Sequence, residues 1–193
     1  MSFNGQRILP AARKAKDLEK LLALPYEWIV LLDMHVGQLQ PLVQLAKSHG
    51  KKPIVHADLI EGLKNDEYAA EYICQMARPA GVVSTRAGVI AKTKKNGLLA
   101  IQRMFLLDTN ALEKSYAMFE RTKPDYIEVL PGVIPHMIAE VYARTGIPIF
   151  AGGLIRTEDD VERALQAGAS AVTTSDRELW QLYGQDDKQG GRS

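Results

Sequence analysis

The fold is decided by residues 146–176, which read GIPIFAGGLIRTEDDVERALQAGASAVTTSD. A short apolar run meets the Gly152-Gly153 pair, and a helix-start signal follows at Thr157, with an aspartate three residues later. The helical pattern stops at Gly168, and a second apolar run leads into a Thr-Thr-Ser segment. This order of strand, loop, helix and strand is typical of the last two units of a (β/α)8 barrel.

The loops after these two strands predict a binding site for a small phosphorylated molecule. In (β/α)8 barrels the loops after strands 7 and 8 frequently form a phosphate site. Glycines let the backbone approach an anion closely, so that N–H groups point at it, and nearby hydroxyls can donate as well. The residues predicted to hold the phosphate are Gly152, Gly153, Ile155, Thr174 and Ser175. The simpler alternative is that the Gly-Gly pair only forms a tight turn.

The rest of the chain repeats the same unit. Short apolar runs such as Trp28–Asp33 and Pro53–Asp58 alternate with helical patterns, which indicates a parallel α/β fold. Eight such units predict a small single-domain (β/α)8 TIM-type barrel over residues 1–183, followed by a disordered polar tail over residues 184–193. The alternative is an open flavodoxin-like sheet, which needs only about five or six units.

Composition constrains the cellular location of the protein more than its function. The formal net charge of +1 argues neither for nor against a nucleic-acid partner. The single cysteine, Cys74, excludes an internal disulfide and fits a reducing compartment. The chain shows neither a signal-peptide pattern nor an apolar run of the roughly 18 residues that a membrane span needs. We therefore expect a cytoplasmic protein without a membrane partner.

Polar side chains gather at the predicted carboxyl ends of the strands, where barrels of this class place functional residues. On one mouth they would bind the hydroxyls of a small polyol while the glycine loops hold its phosphate. Arginine suits this role because its guanidinium offers paired donors to phosphate. The residues predicted for this part of the site are Asp33, His56, Asp58, Arg86, Arg103 and Glu128.

Several of these residues have a structural alternative. Asp33 is also placed to cap the next helix, and His56 to be a hydrogen-bonded core histidine. Arg103 and Glu128 each lie within an apolar run, so they could form a structural ion pair inside the barrel.

Two catalytic chemistries were weighed against simple ligand binding. Asp33, His35, His56 and Asp58 offer the mixed ligands of a divalent metal site, but no compact motif such as HExxH is present, and we predict no metal. A Schiff-base lysine would have to lie on a strand that faces the mouth. The lysines lie mostly in predicted helices and helix ends, which weakens an aldolase interpretation.

One basic run, Lys92-Thr93-Lys94-Lys95, lies on a short predicted helix. Such a run is usually a solvated face. The alternative is that Lys92, Lys94 and Lys95 contact the phosphate backbone of an RNA.

Motifs at nearly every strand end carry a resemblance to a known family. They are ILPA (8–11), LDMHVGQL (32–39), HADLIEG (56–62), PAGVVSTR (79–86), IQR (101–103), PDYIEVLPG (124–132), AGGLIRT (151–157) and TTSD (173–176). Over residues 8 to about 180 the chain resembles the glycerol-3-phosphate-responsive antiterminators, bacterial regulators of glycerol-use operons. Val36 and Ala57 are mild variants within these motifs and leave the ligand site unaffected.

The resemblance implies a regulator rather than an enzyme. Its effector would be glycerol 3-phosphate, with no cofactor, and its macromolecular partner the leader mRNA of glycerol-use genes, in which it prevents premature termination. The alternative is a phosphosugar isomerase, epimerase or lyase in which Asp33, Asp58 or Glu128 serves as acid and base. A weaker third alternative is a protein-interaction module with a vestigial pocket. A symmetric homodimer is compatible with the sequence, although no hydrophobic stripe demands one.

Overall fold

Eight parallel strands close into a barrel, and a helix follows each strand. The computed structural model describes residue 3 and residues 5–190, and of residues 186–190 it describes the backbone only. The first strand pairs with both the second and the last. The predicted (β/α)8 class is therefore confirmed, and the open sheet is excluded, because an open sheet leaves its two edge strands unpaired.

The elements alternate regularly along the chain. The strands are β1 (Ile8–Ala12), β2 (Trp28–Leu31), β3 (Lys52–His56), β4 (Gly81–Ser84), β5 (Leu99–Phe105), β6 (Tyr126–Leu130), β7 (Ile149–Gly152) and β8 (Ala171–Thr174). The helices are α1 (Ala15–Leu22), α2 (Val36–Ser48), α3 (Glu67–Tyr72), α4 (Ala87–Lys95), α5 (Thr109–Thr122), α6 (Pro135–Thr145), α7 (Glu158–Gln166) and α8 (Arg177–Gly190). A 3₁₀ turn, Ala57–Leu59, follows β3, and a π-helical turn, Ile73–Ala77, continues α3.

The strands are buried on both faces because one face fills the barrel and the other packs beneath the helices. Val30 and Ile54 belong to an apolar cluster inside the barrel. Their sequence neighbours Ile29 and Val55 belong to the larger cluster between the strands and the helices. Successive side chains of a strand point to opposite faces, so an apolar run without alternation satisfies both cores.

Aromatic rings close the amino-terminal end of the barrel. The Phe3 ring lies 4.6 Å from Trp28, 5.2 Å from Tyr126 and 5.0 Å from Phe150, measured between ring centroids. Tyr126 and Phe150 stack on each other at 4.3 Å. These rings fill the interior of the barrel at this end, whereas the opposite end, where the carboxyl ends of the strands meet, is open.

The helix start predicted at Thr157 is confirmed. The Thr157 hydroxyl accepts from the backbone N–H of Asp160, and the Asp160 carboxylate accepts from the N–H of Thr157, which forms a reciprocal capping box. The acidic residues of the first turn of α7 also complement the positive end of the helix dipole. The loop between β7 and α7 therefore ends at a fixed point.

Two strands are shorter than predicted. The run Trp28–Asp33 forms a strand only as far as Leu31, because Asp33 takes a left-handed backbone with φ 40°. The run Pro53–Asp58 ends as a strand at His56 and continues as the 3₁₀ turn. Both departures lie at the carboxyl ends of strands, where the chain turns toward the mouth.

The last helix extends further than predicted. Helix α8 reaches Gly190, whereas we expected the barrel domain to end at residue 183 and a disordered tail to follow. Residues 191–193 lie outside the described residues, and the domain boundary stays a prediction. None of the helices in the described part of the chain combines the length and the apolar character that crossing a membrane requires.

Candidate functional site

A cavity of about 470 Å³ opens at the carboxyl ends of the strands. Its walls come from β1, β2, β5 and β6 and from the loops that follow β7 and β8. We call this opening the mouth. Of the residues predicted for the site, the cavity is lined by Arg103, Glu128, Gly153, Ile155, Thr174 and Ser175. Gly152, Asp33, His56, Asp58 and Arg86 are not among its lining residues.

A chain of polar contacts crosses the floor of the mouth from β5 to β8. Arg103 Nε donates to Glu128 Oε2 at 2.7 Å, and the Thr173 hydroxyl donates to Glu128 Oε1 at 2.6 Å. The Arg103 and Glu128 side chains are only 14% and 3% exposed. The structural ion pair considered for these two residues is thus present, and it also lines the cavity. The pairing offsets part of the cost of burying these two side chains.

Gly152 leaves room for this chain of contacts. A Cβ at position 152 would lie 2.3 Å from Thr173 Oγ1 and 3.0 Å from Glu128 Oε1. Any side chain there would therefore displace the Thr173–Glu128 hydrogen bond. The contribution of Gly152 visible in the structure is steric, and its predicted contact with a phosphate stays a prediction.

The loop after β7 turns its backbone toward the cavity. Gly153 has φ +76°, a conformation that L side chains rarely adopt, and it lines the cavity. Leu154 follows with φ 61°, also left-handed, and is 60% exposed. Ile155 is then buried against the core. The predicted glycine loop therefore has the exposed backbone that an anion site requires.

The loop after β8 offers a hydroxyl to a ligand, but some N–H donors of the helix that follows it already have a partner. The Asp176 carboxylate accepts from the N–H groups of Glu178 and Leu179, at 2.9 and 3.1 Å. Those first-turn donors of α8 are therefore occupied by a side chain. The Thr174 hydroxyl accepts from the N–H of Asp176 and contacts the Ile155 carbonyl at 3.4 Å, which joins the two loops. Ser175 is exposed at the cavity wall.

Asp33 lies at the edge of the mouth. Its carboxylate contacts Arg13 Nη1 at 3.3 Å, and the two side chains are 38% and 60% exposed. The helix-capping alternative is not realised, because α2 is capped by His35, whose Nδ1 accepts from the N–H of Gly37 at 3.1 Å.

His56 is buried without a hydrogen-bond partner. It is 2% exposed, and neither ring nitrogen has a partner among the described residues. Burial and the nearby Arg103 cation lower the pKa of His56 to about 4, although Glu128 and Asp58 act in the opposite direction. The ring is therefore neutral at physiological pH, and the hydrogen-bonded core histidine considered above is not what the structure shows.

Asp58 is turned toward β4 rather than into the cavity. The Ser84 hydroxyl donates to its Oδ1, and the Thr85 N–H and hydroxyl donate to its Oδ2 at 2.7 and 2.6 Å. Burial raises the pKa of Asp58, but these hydrogen bonds outweigh it and the pKa falls below its usual value. Asp58 thus ties the loops after β3 and β4 together.

The remaining predicted cations lie away from the cavity. Arg86 is exposed at the start of α4 and does not line the mouth. Lys92 pairs with Glu71 at 3.1 Å and Lys94 with Asp125 at 2.9 Å. These lysines and Lys95 lie at the end of α4, which is the end of the barrel opposite the mouth. Their contact with RNA stays a prediction, and the ion pairs reduce the free charge that would support it.

The four residues weighed as metal ligands do not form a cluster. Within the described part of the chain, no group of three or more His, Cys, Asp or Glu side chains is arranged to hold a metal ion. Asp33 is paired with Arg13, His35 caps α2, and Asp58 is held by β4.

The predicted site omitted four polar residues that line the cavity. They are Arg13, Arg156, Thr173 and Asp176. Each lies near the carboxyl end of a strand or in the loop that follows it, so its position carried a signal. What the sequence did not supply was the direction of each side chain, because that depends on the stagger of the strands around the barrel.

The fold and the cavity define a class of protein, a small (β/α)8 barrel with a polar cavity at the carboxyl ends of its strands. The sequence model of the family described as "Glycerol-3-phosphate responsive antiterminator" matches residues 8–180. The chain therefore belongs to this family, as the strand-end motifs predicted.

Known relatives agree with this assignment. A crystal structure of the glycerol uptake operon antiterminator regulatory protein from Listeria monocytogenes is 45% identical, with a TM-score of 0.92 over 94% of this chain and 98% of that one. A glycerol uptake operon antiterminator-related protein from Thermotoga maritima is 28% identical, with a TM-score of 0.80 over 91% and 98%. The uncharacterized protein YgcP of Escherichia coli is 27% identical over 91% of this chain and 92% of its own.

More distant structures share the fold alone. The deoxyribose phosphate aldolase of Aeropyrum pernix is 18% identical, with a TM-score of 0.70 over 95% of this chain and 90% of that chain.

Proposed function

We propose that this protein binds glycerol 3-phosphate in the mouth and, in the bound form, binds the leader mRNA of glycerol-use genes and prevents premature termination. The observation that carries the proposal is the cavity itself. It combines an exposed glycine backbone and a serine hydroxyl with a buried arginine–glutamate pair, within the region that matches the family.

The two ends of the ligand would contact different parts of the mouth. The phosphate would accept from the backbone around Gly153 and Ile155 and from the Ser175 hydroxyl, with Arg103 supplying positive charge. The hydroxyls of the glycerol end would donate to Glu128, whose oxygens each retain a second lone pair, and to Asp33 at the edge. Thr174 would hold the two phosphate loops in register.

Binding of the ligand must favour the RNA-binding form for regulation to occur. A ligand shifts an equilibrium only by the difference between its affinities for the two states. The loops after β7 and β8 supply the phosphate contacts and are also exposed at the surface. They are the part of the mouth in which ligand contacts can order a surface that RNA then meets.

The placement of the lysines weighs against Schiff-base chemistry at the mouth. Among the described strands, the one lysine is Lys52, at the amino-terminal start of β3. That position is at the wrong end of the barrel for a Schiff base at the mouth.

Calorimetric titration tests the ligand half of the proposal. Glycerol 3-phosphate, glycerol and inorganic phosphate are titrated separately, and the bound small molecule is recovered afterwards and identified by NMR. We expect glycerol 3-phosphate to bind much more tightly than either fragment and to be recovered unchanged. Equal affinity for inorganic phosphate, or conversion of glycerol 3-phosphate or a triose phosphate to a product, would contradict the proposal and support the phosphosugar enzyme.

A further inference from the structure

The loop after β7 contributes both to the cavity and to the outer surface. Gly153 lines the cavity and Ile155 is buried. Leu154, which lies between them, and Arg156, which follows Ile155, have exposed side chains. Leu154 and Arg156 also border the cavity, together with Leu59 and Arg13 on the other side. We call Arg13, Leu59, Leu154 and Arg156 the rim. A ligand that reaches the buried floor at Glu128 lies beneath these exposed side chains.

The arginines of the rim carry charge that the protein itself does not neutralise well. Arg156 has no ion pair or side-chain hydrogen bond with any residue in the described part of the chain. Arg13 makes one contact, with Asp33 at 3.3 Å, and remains 60% exposed. Arg144, another exposed arginine, is paired more fully, because it meets Glu113 through two hydrogen bonds of 2.8 and 2.7 Å.

Backbone strain is concentrated at the same place. Among the residues that the structure describes, four other than glycine have a left-handed backbone. Arg78 and Lys123 end helices, where this conformation is ordinary. Asp33, the partner of Arg13, and Leu154 have no such explanation. The strained backbone of Leu154 holds an apolar side chain that is 60% exposed. This arrangement does not stabilise the folded state.

We propose that the rim is the surface that binds the RNA strand, directly above the bound glycerol 3-phosphate. This inference rests on the proposed function. It adds the RNA-binding surface, which the proposed function does not specify. Guanidinium groups pair with backbone phosphates and stack on unpaired bases, and apolar side chains support a splayed base. A small ligand with a second anionic group would account for the two arginines of the rim. It would not account for the exposed Leu59 and Leu154.

This arrangement explains how the ligand would control RNA binding. Gly153 and Ile155 would contact the ligand, and Leu154 and Arg156, the alternate residues of the same loop, would contact the RNA. When the ligand orders this loop, it also orders the surface that binds RNA. No longer-range coupling through the barrel is then needed. The coupling is reciprocal, so leader RNA should also tighten the binding of glycerol 3-phosphate.

Charge-removing substitutions on the full chain test the proposal. The double variant Arg13→Gln/Arg156→Gln is compared with Arg144→Gln/Arg163→Gln, which removes two exposed arginines away from the mouth. The affinity for a glycerol-operon leader transcript is measured over a salt series at several glycerol 3-phosphate concentrations up to saturation, and the ligand affinity is measured separately. We expect leader binding to weaken at least about tenfold and its salt slope to fall by about two, one for each lost phosphate contact.

A second variant separates binding from folding. Leu154→Gly removes the exposed side chain and the strain together, so we expect a higher melting temperature and weaker leader binding. A residue with a purely structural role would not move these two readouts in opposite directions. Both leader binding and stability would have to be recorded on the same preparation.

Each contrary result has a distinct meaning. Leader binding by the Arg13/Arg156 variant that equals that of the unmodified protein overturns the rim as the RNA surface and leaves the proposed function standing. Leader binding that recovers fully as glycerol 3-phosphate is raised assigns the arginines to the ligand and also overturns it. If the unmodified protein binds leader and scrambled transcripts equally at every ligand concentration, both the rim and the RNA half of the proposed function fail.

Discussion

Gly153 is the glycine of the proposed ligand site at which both the backbone conformation and a neighbouring side chain oppose substitution. Its φ of +76° and the Leu130 side chain 3.2 Å from a built Cβ both oppose substitution. We expect Gly153→Glu to abolish the rise in melting temperature that glycerol 3-phosphate causes, because the new carboxylate occupies the cavity and repels the phosphate. The fold should survive, since a left-handed backbone costs an ordinary residue about 1–2 kcal/mol.

Gly146→Glu is the matched control for this prediction. Gly146 has a similar φ of +66°, but nothing lies within 4 Å of a built Cβ, and it caps the end of α6. The control should lose a similar amount of stability and keep its full response to the ligand. A normal response in Gly153→Glu would mean that the phosphate site is elsewhere.

Glu128 should contribute to stability as well as to the ligand site. Removing one member of a buried ion pair leaves the other charge uncompensated, so we expect Glu128→Gln to lower the free energy of unfolding by about 3 kcal/mol or more. Glu113→Gln breaks the exposed pair with Arg144, in which the glutamate side chain is 52% exposed. This change should lower the free energy of unfolding by less than about 1 kcal/mol. Urea denaturation of both variants measures the difference. Equal losses would show that Arg103 finds another partner.

His56 should make the stability of the protein fall in mild acid. Its folded pKa of about 4 lies below the unfolded value of 6.5, so the unfolded chain binds the extra proton between those values. Stability is therefore complete above about pH 6.5 and is lost as the pH falls toward 4. Between about pH 7.5 and about pH 5 this group should remove about 2 kcal/mol from the free energy of unfolding.

The variant His56→Gln tests this prediction by urea denaturation at the two pH values. Glutamine does not titrate, so the loss of stability in acid should shrink by about that 2 kcal/mol. The exposed His136, changed to Gln, should leave the unmodified pH dependence in place. An unchanged pH dependence in His56→Gln would show that folding does not shift the pKa of His56.

At the scale of elements, α8 is fixed to β8, whose following loop is proposed to contact the phosphate. Trp180 Nε1 donates to the Thr174 carbonyl at 2.9 Å, and the Tyr26 hydroxyl donates to the Trp180 carbonyl at 2.8 Å. Trp180→Phe should cost about 1–3 kcal/mol, because it leaves a buried carbonyl without its donor, and should weaken glycerol 3-phosphate binding. Tyr26→Phe removes a hydrogen bond from the same helix but not from β8. Ligand affinity that falls equally in both variants would argue against a specific role for the Trp180 contact.

The order and type of elements could be predicted from the sequence, because apolar runs and helix signals are local. The start of α7 at Thr157 follows from the residues alone. The end of β2 does not, because the left-handed turn at Asp33 depends on the loop around it. The continuation of α8 beyond residue 183 was likewise missed, since a polar, glycine-rich composition favours disorder whether or not a preceding helix extends.

The candidate site could be predicted at the level of the loops but not of each side chain. Gly153, Ser175, Arg103 and Glu128 line one cavity as expected. Asp58 does not, because Ser84 and Thr85 draw its carboxylate toward β4. Contacts between neighbouring strands decide such orientations, and a single sequence does not contain them.

At the scale of the whole molecule, a barrel scaffold shared with aldolases is used by a family of regulators. The two ends of the barrel differ in a way that suits a sensor. Aromatic rings fill the amino-terminal end, while the carboxyl end keeps an open cavity with exposed arginines at its rim. We therefore expect function to depend on the loops of one face, because a shared scaffold does not by itself determine function.

Transcription through a leader terminator tests the central claim most directly. A template carrying the leader of a glycerol-use operon is transcribed in single rounds with the protein, with and without glycerol 3-phosphate, beside a template with an unrelated terminator. We predict that readthrough of the glycerol leader rises only when protein and glycerol 3-phosphate are both present, and that the unrelated terminator is unaffected. Readthrough that does not change with the ligand, or that rises equally on both templates, would contradict the account.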